Sequence, residues 1–402
     1  MHIIVDGTTT QNQLKYNGVG QYTKHILEGI LNTKELDLTL ILFEGESTLD
    51  SLLKKATANV EIIRIGKLRK SDYLNPIWYL TKILPAILKN KKENSVYFCP
   101  YFWQGIPSLW IPTVLMVHDF TLPKFNIYSE QGPIKNIIKG ILYWLEMFKA
   151  RFCKAIITNA KYTAKDFEHY FPRYNRENIY PILLDGKLDK PTIGWNINLP
   201  KDYEQRGYFI YLGGTLYKNK NSDGVIKGYR DFLNKIHNPK DSPYLVIAGK
   251  NFTKEIDPNV KIFKDKISNL GIKDKVVFVG FYEDSHAKEL LSNSLALVHL
   301  SLYEGFGLTL VEAMNAGTPV IAHNGSCYPE VVEDAGLLVD GLNPKEVAEA
   351  MYSIYSDSDL REALIEKGSK RAKDFSWEKA RNETLDVLKS VVPVNNQPIK
   401  PI

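Results

Sequence analysis

Two carboxylates, Glu304 and Glu312, bracket a turn in the stretch Ser-Leu-Tyr-Glu-Gly-Phe-Gly-Leu-Thr-Leu-Val-Glu-Ala-Met of residues 301–314. Between them, Gly305 and Gly307 leave backbone N–H groups open to a ligand, and a helix predicted to start near Leu308 points its positive end at the same place. Amides suit phosphate oxygens, and carboxylates suit hydroxyls. The pattern therefore fits a ligand that carries both, as a nucleotide sugar does. A glycine-rich strand-to-helix turn with Glu304 as a local cap and Glu312 on the surface reads the same way locally. The surrounding elements have to decide.

Further positions along the chain could share in such chemistry. His118 and Asp119 follow the apolar run 114–117, at the carboxyl end of a predicted strand, where open α/β sheets place ligands. A hydrogen-bonded structural histidine is the commoner occupant of such a position. Lys220 and Asn221 lie in a polar loop opened by Gly213-Gly214-Thr215, ahead of a helix that Ser222 or Asp223 is expected to cap. That lysine either neutralises a diphosphate or is a solvated loop residue. Gly18-Val19-Gly20 opens a helix after a long polar loop, with Thr23 where a third glycine would complete the dinucleotide fingerprint. It is a flexible helix start or a glycine loop approaching a phosphate. Asp357-Ser358-Asp359 has a spacing used for divalent metals, but it precedes a helix at 360–370, so capping is preferred and no metal is expected.

The elements that must position these groups form two series. Residues 2–5, 38–43, 60–65, 96–98, 114–117 and 155–158 are short apolar runs alternating with helical or polar segments, which predicts a parallel sheet. The pattern breaks down over 184–207, a glycine-, proline- and charge-rich boundary. It resumes with strands at 208–212, 244–248, 276–279, 295–300 and 336–339. Gly317 stops the helix that carries Glu312, and Pro319 opens the next apolar run. Ser326 is expected to cap a further helix. Helices are expected at 344–355 and 377–391, before a proline-rich tail.

The 402 residues leave room for two cores. A composition of 44% hydrophobic and 24% charged residues excludes a disordered chain and a membrane bundle. The formal charge of +5 is too mild for a nucleic-acid footprint. Cys99, Cys153 and Cys327 form neither a metal-ligand spacing nor a disulfide framework, and the chain opens on a strand instead of a signal peptide. A cytoplasmic location is expected, with peripheral membrane association left open. Two segments, 67–92 and 134–151, mix lysines with aliphatic and aromatic residues. Each could lie on an anionic bilayer, but packing of the apolar faces on the sheet is the favoured reading.

Taken together, these residues resemble glycosyltransferase family 4, a retaining family with the GT-B fold. Tyr303-Glu304-Gly305-Phe306-Gly307-Leu308 and Glu312-Ala313-Met314 look like its E-x7-E element. Thr318-Pro319-Val320-Ile321-Ala322, Pro329-Glu330-Val331, Gly336 and Phe375-Ser376-Trp377 follow in the family's order. Gly18-Val19-Gly20-Gln21-Tyr22-Thr23 and His118-Asp119 match its first-domain blocks. The resemblance implies two Rossmann-like βαβ domains facing across a cleft: an acceptor-side domain over 1–190, joined by a C-terminal helix at 377–392 that crosses back, and a donor-binding domain over 205–376. It implies transfer of a hexose from a nucleotide-diphosphate sugar of the GDP-mannose or UDP-hexose type to a glycan or lipid-linked acceptor. No cofactor or metal is implied. His118, Glu304 and Lys220 would be catalytic; Gly18, Gly20, Asn221, Phe306, Gly307, Leu308 and Glu312 would bind the donor. The arginine that many members carry about six residues before the lysine is replaced by Gly214, and Asn219 stands where another arginine is often found, with Lys218 the available substitute. A nucleotide-sugar epimerase of the same fold and a non-catalytic nucleotide-sugar-binding subunit are the alternatives.

Overall fold

The computed structural model describes residues 1–402 except 68–77, 126–132, 189–198, 214–215, 239–240, 250–251, 253–257, 281, 283 and 393–402. The chain divides into two compact units. The first comprises Met1–Phe120, Tyr128–Leu184 and Trp377–Ile402; the second comprises Thr121–Ile127 and Asp185–Ser376.

In the first unit, seven described strands form one sheet. They are β1 (His2–Asp6), β2 (Asp37–Glu44), β3 (Asn59–Lys67), β4 (Ser95–Cys99), β5 (Thr113–Val117), β6 (Ala155–Thr158) and β7 (Ile179–Pro181). Their order is β3-β2-β1-β4-β5-β6-β7, and every pairing is parallel. β1, β4, β5 and β6 are buried along their whole length, which is why they are near-continuous apolar runs in the sequence. β7 was not expected. It is three residues long, ends in Pro181 at the sheet edge, and carries no alternation to betray it. The helix Trp377–Ser390 packs in this unit against the helix Gly18–Leu31, with His25 stacked on Trp377 at 4.3 Å between ring centroids.

Six described strands make the second sheet: β8 (Tyr208–Leu212), β9 (Tyr244–Ala248), β10 (Val276–Gly280), β11 (Ala296–His299), β12 (Val320–His323) and β13 (Leu337–Val339). The order is β10-β9-β8-β11-β12-β13, again parallel throughout. Its core gathers Phe209, Tyr211, Tyr229, Phe232, Val347 and Met351 beneath the helices Ser222–Leu233 and Pro344–Ser356. In both sheets the strand order reverses once, between β1 and β4 and between β8 and β11. Such reversals open a crevice at the strands' carboxyl ends.

Several expectations are corrected. The helix Pro133–Ala150 does not bury its large apolar stripe: Tyr143, Met147 and Ala150 face inward, while Ile137, Ile141, Trp144, Leu145 and Phe148 are exposed. Inward packing does hold for 79–90, where Tyr79, Ile83, Leu84 and Ile87 are buried; residues 68–77 of that basic segment lie outside the described residues. Thr121–Ile127 clusters with the second unit, not with the domain on either side of it in sequence, because Phe125 packs on Tyr303 at 6.1 Å. The boundary stretch begins as packed backbone: Asp185 and Gly186 are buried in the second unit, and residues 189–198 lie outside the described residues.

Candidate functional site

The reversal in the second sheet sets the site. β8 ends at Leu212 and leads to the turn Lys218–Lys220, while β11 ends at His299 and leads through Glu304 to the helix Leu308–Asn315. Neighbouring strand ends therefore deliver a lysine and a carboxylate to one place, and Lys220 Nζ donates to Glu304 Oε1 in a hydrogen-bonded ion pair. Asn219 holds the two loops together. Its main-chain oxygen accepts from Leu302 N at 2.7 Å and its side chain donates to the Tyr303 carbonyl at 3.3 Å. Asn219, which stands where the resemblance would place an arginine, is buried. Lys218, the available substitute, is exposed on the same turn, and Gly214 lies outside the described residues.

Asn221 turns out to be structural. Its backbone is left-handed at φ 48°, its Oδ1 accepts from Gly224 N at 3.2 Å, and its Nδ2 donates to Leu300 O at 3.2 Å and Gly341 O at 2.8 Å. It, and neither Ser222 nor Asp223, caps the helix Ser222–Leu233. Both of its amide hydrogens are committed to the protein.

Glu304 is held from its own backbone outward. Its N–H donates to Ser326 Oγ at 3.0 Å, and Ser326 Oγ–H returns to the Glu304 carbonyl at 2.7 Å. Ser326 is therefore a clamp on the loop; it is not the helix cap expected, since the helix Tyr328–Val332 takes no side-chain cap. Behind Glu304 sits buried His299, with Nε2 3.9 Å from Glu304 Oε1 and its ring edge-on to Tyr328 at 5.5 Å. Burial pushes the His299 imidazole down to about 4, so it is neutral at physiological pH. Burial also works to raise the Glu304 carboxyl, but the Lys220 charge and hydrogen bond outweigh it, and Glu304 lies below its ordinary value.

Phe306 buries its ring against Phe375 at 5.7 Å, which fixes the loop over the following turn. Gly307 precedes the helix at φ 86°, a left-handed conformation that an L side chain resists. Among the described residues, the N–H groups of Phe306, Gly307 and Leu308 meet no protein acceptor. They stand at a helix N-terminus, beside Glu304 and Lys220. Glu312, partly exposed, rides one turn into that helix. Gly186 lies against it: a Cβ there would fall 2.6 Å from Glu312 N and 2.8 Å from Val311 Cβ.

The first unit brings its own candidates together. His118, at the carboxyl end of β5, donates from Nε2 to the Pro100 carbonyl at 2.8 Å, a bond that requires the hydrogen on Nε2 and leaves Nδ1 as an acceptor in the neutral ring. Burial holds the ring's pKa below its ordinary value, so that neutral form prevails at pH 7. Asn159 donates to the His118 carbonyl at 2.9 Å, and Tyr22, from the helix Gly18–Leu31, meets the imidazole edge-on at 5.1 Å. Gly18 is exposed at that helix's start. Gly20 is packed inward, where a Cβ would lie 2.3 Å from the Leu14 carbonyl. At the end of β1, buried Asp6 accepts from Thr8 N at 2.9 Å. Its Oδ2 finds no partner among the described residues, and burial raises the carboxyl to about 7.

Sequence reasoning missed His299 and Gly186, and it named Asn219 and Ser326 without their bonds between the loops. Only His299 left a signal: it ends an apolar strand as His118 does. Asp357 Oδ1 accepts from Leu360 N at 2.9 Å, as capping requires. Among the described residues, no three His, Cys, Asp or Glu side chains gather as metal ligands would.

Residues 199–371, most of the second unit, match the family described as glycosyl transferases group 1. The chain is 33% identical over 380 residues to an uncharacterized glycosyltransferase of Methanocaldococcus jannaschii, covering 90% of this chain and 93% of that one. It is 23% identical over 392 residues to the O-antigen chain mannosyltransferase B of Escherichia coli, covering 94% and 97%. Among solved structures it is similar to Anabaena HepE in complex with UDP-glucose, with TM-score 0.69, 19% identity and coverage of 97% of this chain and 100% of that one. At that identity the likeness shows the fold, which is GT-B: two Rossmann-like domains built on parallel sheets. The chain belongs to the glycosyltransferases. It is an enzyme that transfers a sugar.

Proposed function

We propose that this chain is a retaining glycosyltransferase of family 4 that moves a hexose from a nucleotide-diphosphate sugar to a glycan or lipid-linked acceptor in surface polysaccharide or glycolipid synthesis, at the cytoplasmic face of a membrane. The observation that carries the reading is the Lys220–Glu304 ion pair beside the N–H groups of Phe306, Gly307 and Leu308. A donor offers what each group lacks: the diphosphate competes with Glu304 for Lys220, and a sugar hydroxyl takes the place of Lys220 on the carboxylate. In this role Glu312 binds the ribose. Relatives that act on mannose and the likeness to a UDP-glucose complex support a nucleotide sugar as donor.

The reaction breaks the bond from the anomeric carbon to the leaving diphosphate oxygen. It forms a bond to the acceptor oxygen on the same face, and the acceptor proton passes to the leaving phosphate. Positive character builds on the sugar while negative charge builds on the diphosphate. Lys220 and the helix N-terminus act where that negative charge develops, which is where preorganised donors contribute most. The second unit takes the donor. In the first unit, neutral His118 offers Nδ1 to a hydroxyl, because its Nε2 hydrogen is spent on Pro100.

A donor screen read as released nucleotide, run with GDP-mannose and UDP-hexoses and with extracted lipid-linked acceptors, tests the reading. Nucleotide diphosphate should appear with one donor and depend on acceptor. Release independent of acceptor would speak for epimerase chemistry, and donor binding without release for a binding subunit.

A further inference from the structure

We propose that the outward face of the helix Pro133–Ala150 docks on an anionic lipid bilayer. The helix is apolar on two sides. Its inward side, Tyr143, Met147 and Ala150, is buried in the first unit. Its outward side keeps Ile137 63%, Ile141 55%, Leu145 58% and Phe148 51% exposed, with Trp144 on the same strip and Phe152 continuing it past the helix end. These positions recur every three or four residues and form one stripe. A contiguous stripe of large aliphatic and aromatic side chains is not what a surface in contact only with water retains.

Charge identifies the occupant. Glu146 is the sole acidic residue of the helix, and it is turned toward the protein: Oε1 accepts from Lys149 at 2.8 Å and Oε2 from Ile106 N at 3.4 Å. The helix offers no other negative charge. Lys139 lies along it, and exposed Arg151 and Lys154 follow its carboxyl end, with the Arg151 guanidinium 4.5 Å from the Phe148 ring. An apolar stripe rimmed by cations matches a surface with a hydrocarbon interior and anionic headgroups. Trp144, Phe148 and Phe152 supply the aromatic rings that favour the interface between the two. A second copy of the chain would bring the same cationic rim against this one and be repelled. No described helix is long and apolar enough to cross a membrane, so the contact is lateral. It suits a lipid-linked acceptor but stands on this surface alone, independent of the donor and its chemistry.

Flotation of the full chain with vesicles of phosphatidylcholine, with and without phosphatidylglycerol, tests the proposal. The chain should float with the phosphatidylglycerol vesicles at low salt and be released as salt rises. Ile141→Glu with Leu145→Glu should abolish flotation, and Arg151→Glu with Lys154→Glu should weaken it by roughly 5-fold per charge or more. All these side chains are exposed, so each variant should keep the parent's melting temperature and its affinity for the donor in the absence of vesicles. Parent chain that stays in solution at low salt overturns the proposal. So does an Ile141→Glu, Leu145→Glu variant that floats normally, or one that dissolves a dimer of a vesicle-blind parent, the result expected if the stripe joins two copies. A vesicle-blind parent with normal turnover would leave the catalytic reading standing.

Discussion

Asn219 donates from its side chain to the Tyr303 carbonyl at 3.3 Å, and that bond ties the Lys220 turn to the Glu304 loop across 84 residues of sequence. The cation and the carboxylate belong to different strand ends, so their spacing depends on such a clamp. Asn219→Ala removes the side-chain bond and keeps the main-chain bond to Leu302. The variant should remain folded and lose turnover by roughly 10-fold to 100-fold, the penalty of a displaced catalytic group. Comparing kcat and melting temperature of the two proteins checks this; unchanged kcat would reduce the clamp to packing.

Lys220 does two things that one variant can separate. It places positive charge where the leaving group forms, and it keeps Glu304 ionised against burial. Lys220→Ala should lower kcat/KM by ~10²–10³, in line with removal of a preorganised donor. It should also raise the Glu304 pKa, because burial then acts without its counterweight. The acid limb of the kcat/KM profile, where Glu304 gains a proton, would move to higher pH. Glu304→Gln should lose transfer at every pH while keeping the fold. An acid limb in Lys220→Ala that does not move would mean that Glu304 is not the group it reports.

Gly186 bears on the same helix from an unexpected side. The sequence around it has the composition of a linker, yet a Cβ at this position would sit inside van der Waals contact of Glu312 N and Val311. Gly186→Ala forces backbone against backbone, which costs about 1–3 kcal/mol in a packed region. Donor affinity should fall along with stability, because the strain falls at Glu312. Urea unfolding and donor titration of the variant test this, and a variant that loses stability but binds donor normally would detach Glu312 from the donor.

The boundary between what was legible in the sequence and what was not follows interaction range. β8 and β11 are buried on both faces, so they appear as uncharged runs, and Leu308 after Gly307 marks the helix start. Glu304 and the glycines beside it could be singled out because they share one short stretch, and Lys220 because it stands in a polar loop ahead of a helix. The clamping roles of Asn219 and Ser326 could not, since each acts by bonding main chain far away in sequence. The helix Pro133–Ala150 failed differently. Periodicity reports a stripe, but the inward side here is the smaller one of Tyr143, Met147 and Ala150, and nothing in a 3.6-residue repeat says which of two apolar sides the sheet will take.

Two buried groups give the units opposite responses to pH. Asp6, in the first unit, is raised from its ordinary 3.8 to about 7, so the folded state holds a proton that the unfolded state has released. Its contribution is complete below about pH 4 and is lost as pH rises through about 7, by up to roughly 4 kcal/mol. His299, in the second unit, is lowered from 6.5 to about 4, so the unfolded state binds the extra proton. Its contribution is complete above about pH 6.5 and is lost as pH falls toward 4, by up to roughly 3 kcal/mol. Asp6→Asn keeps an acceptor for Thr8 N and cannot ionise. Its stability relative to the parent should therefore climb steadily between about pH 4 and about pH 8. His299→Gln cannot gain a proton, so its deficit relative to the parent should shrink as pH falls over the lower part of that range. Urea unfolding of the parent and both variants across this range gives the differences directly, and because each is taken against the parent, the other titrating histidines cancel. Differences that stay flat with pH would show that Asp6 and His299 titrate in the folded protein as they do in the unfolded chain.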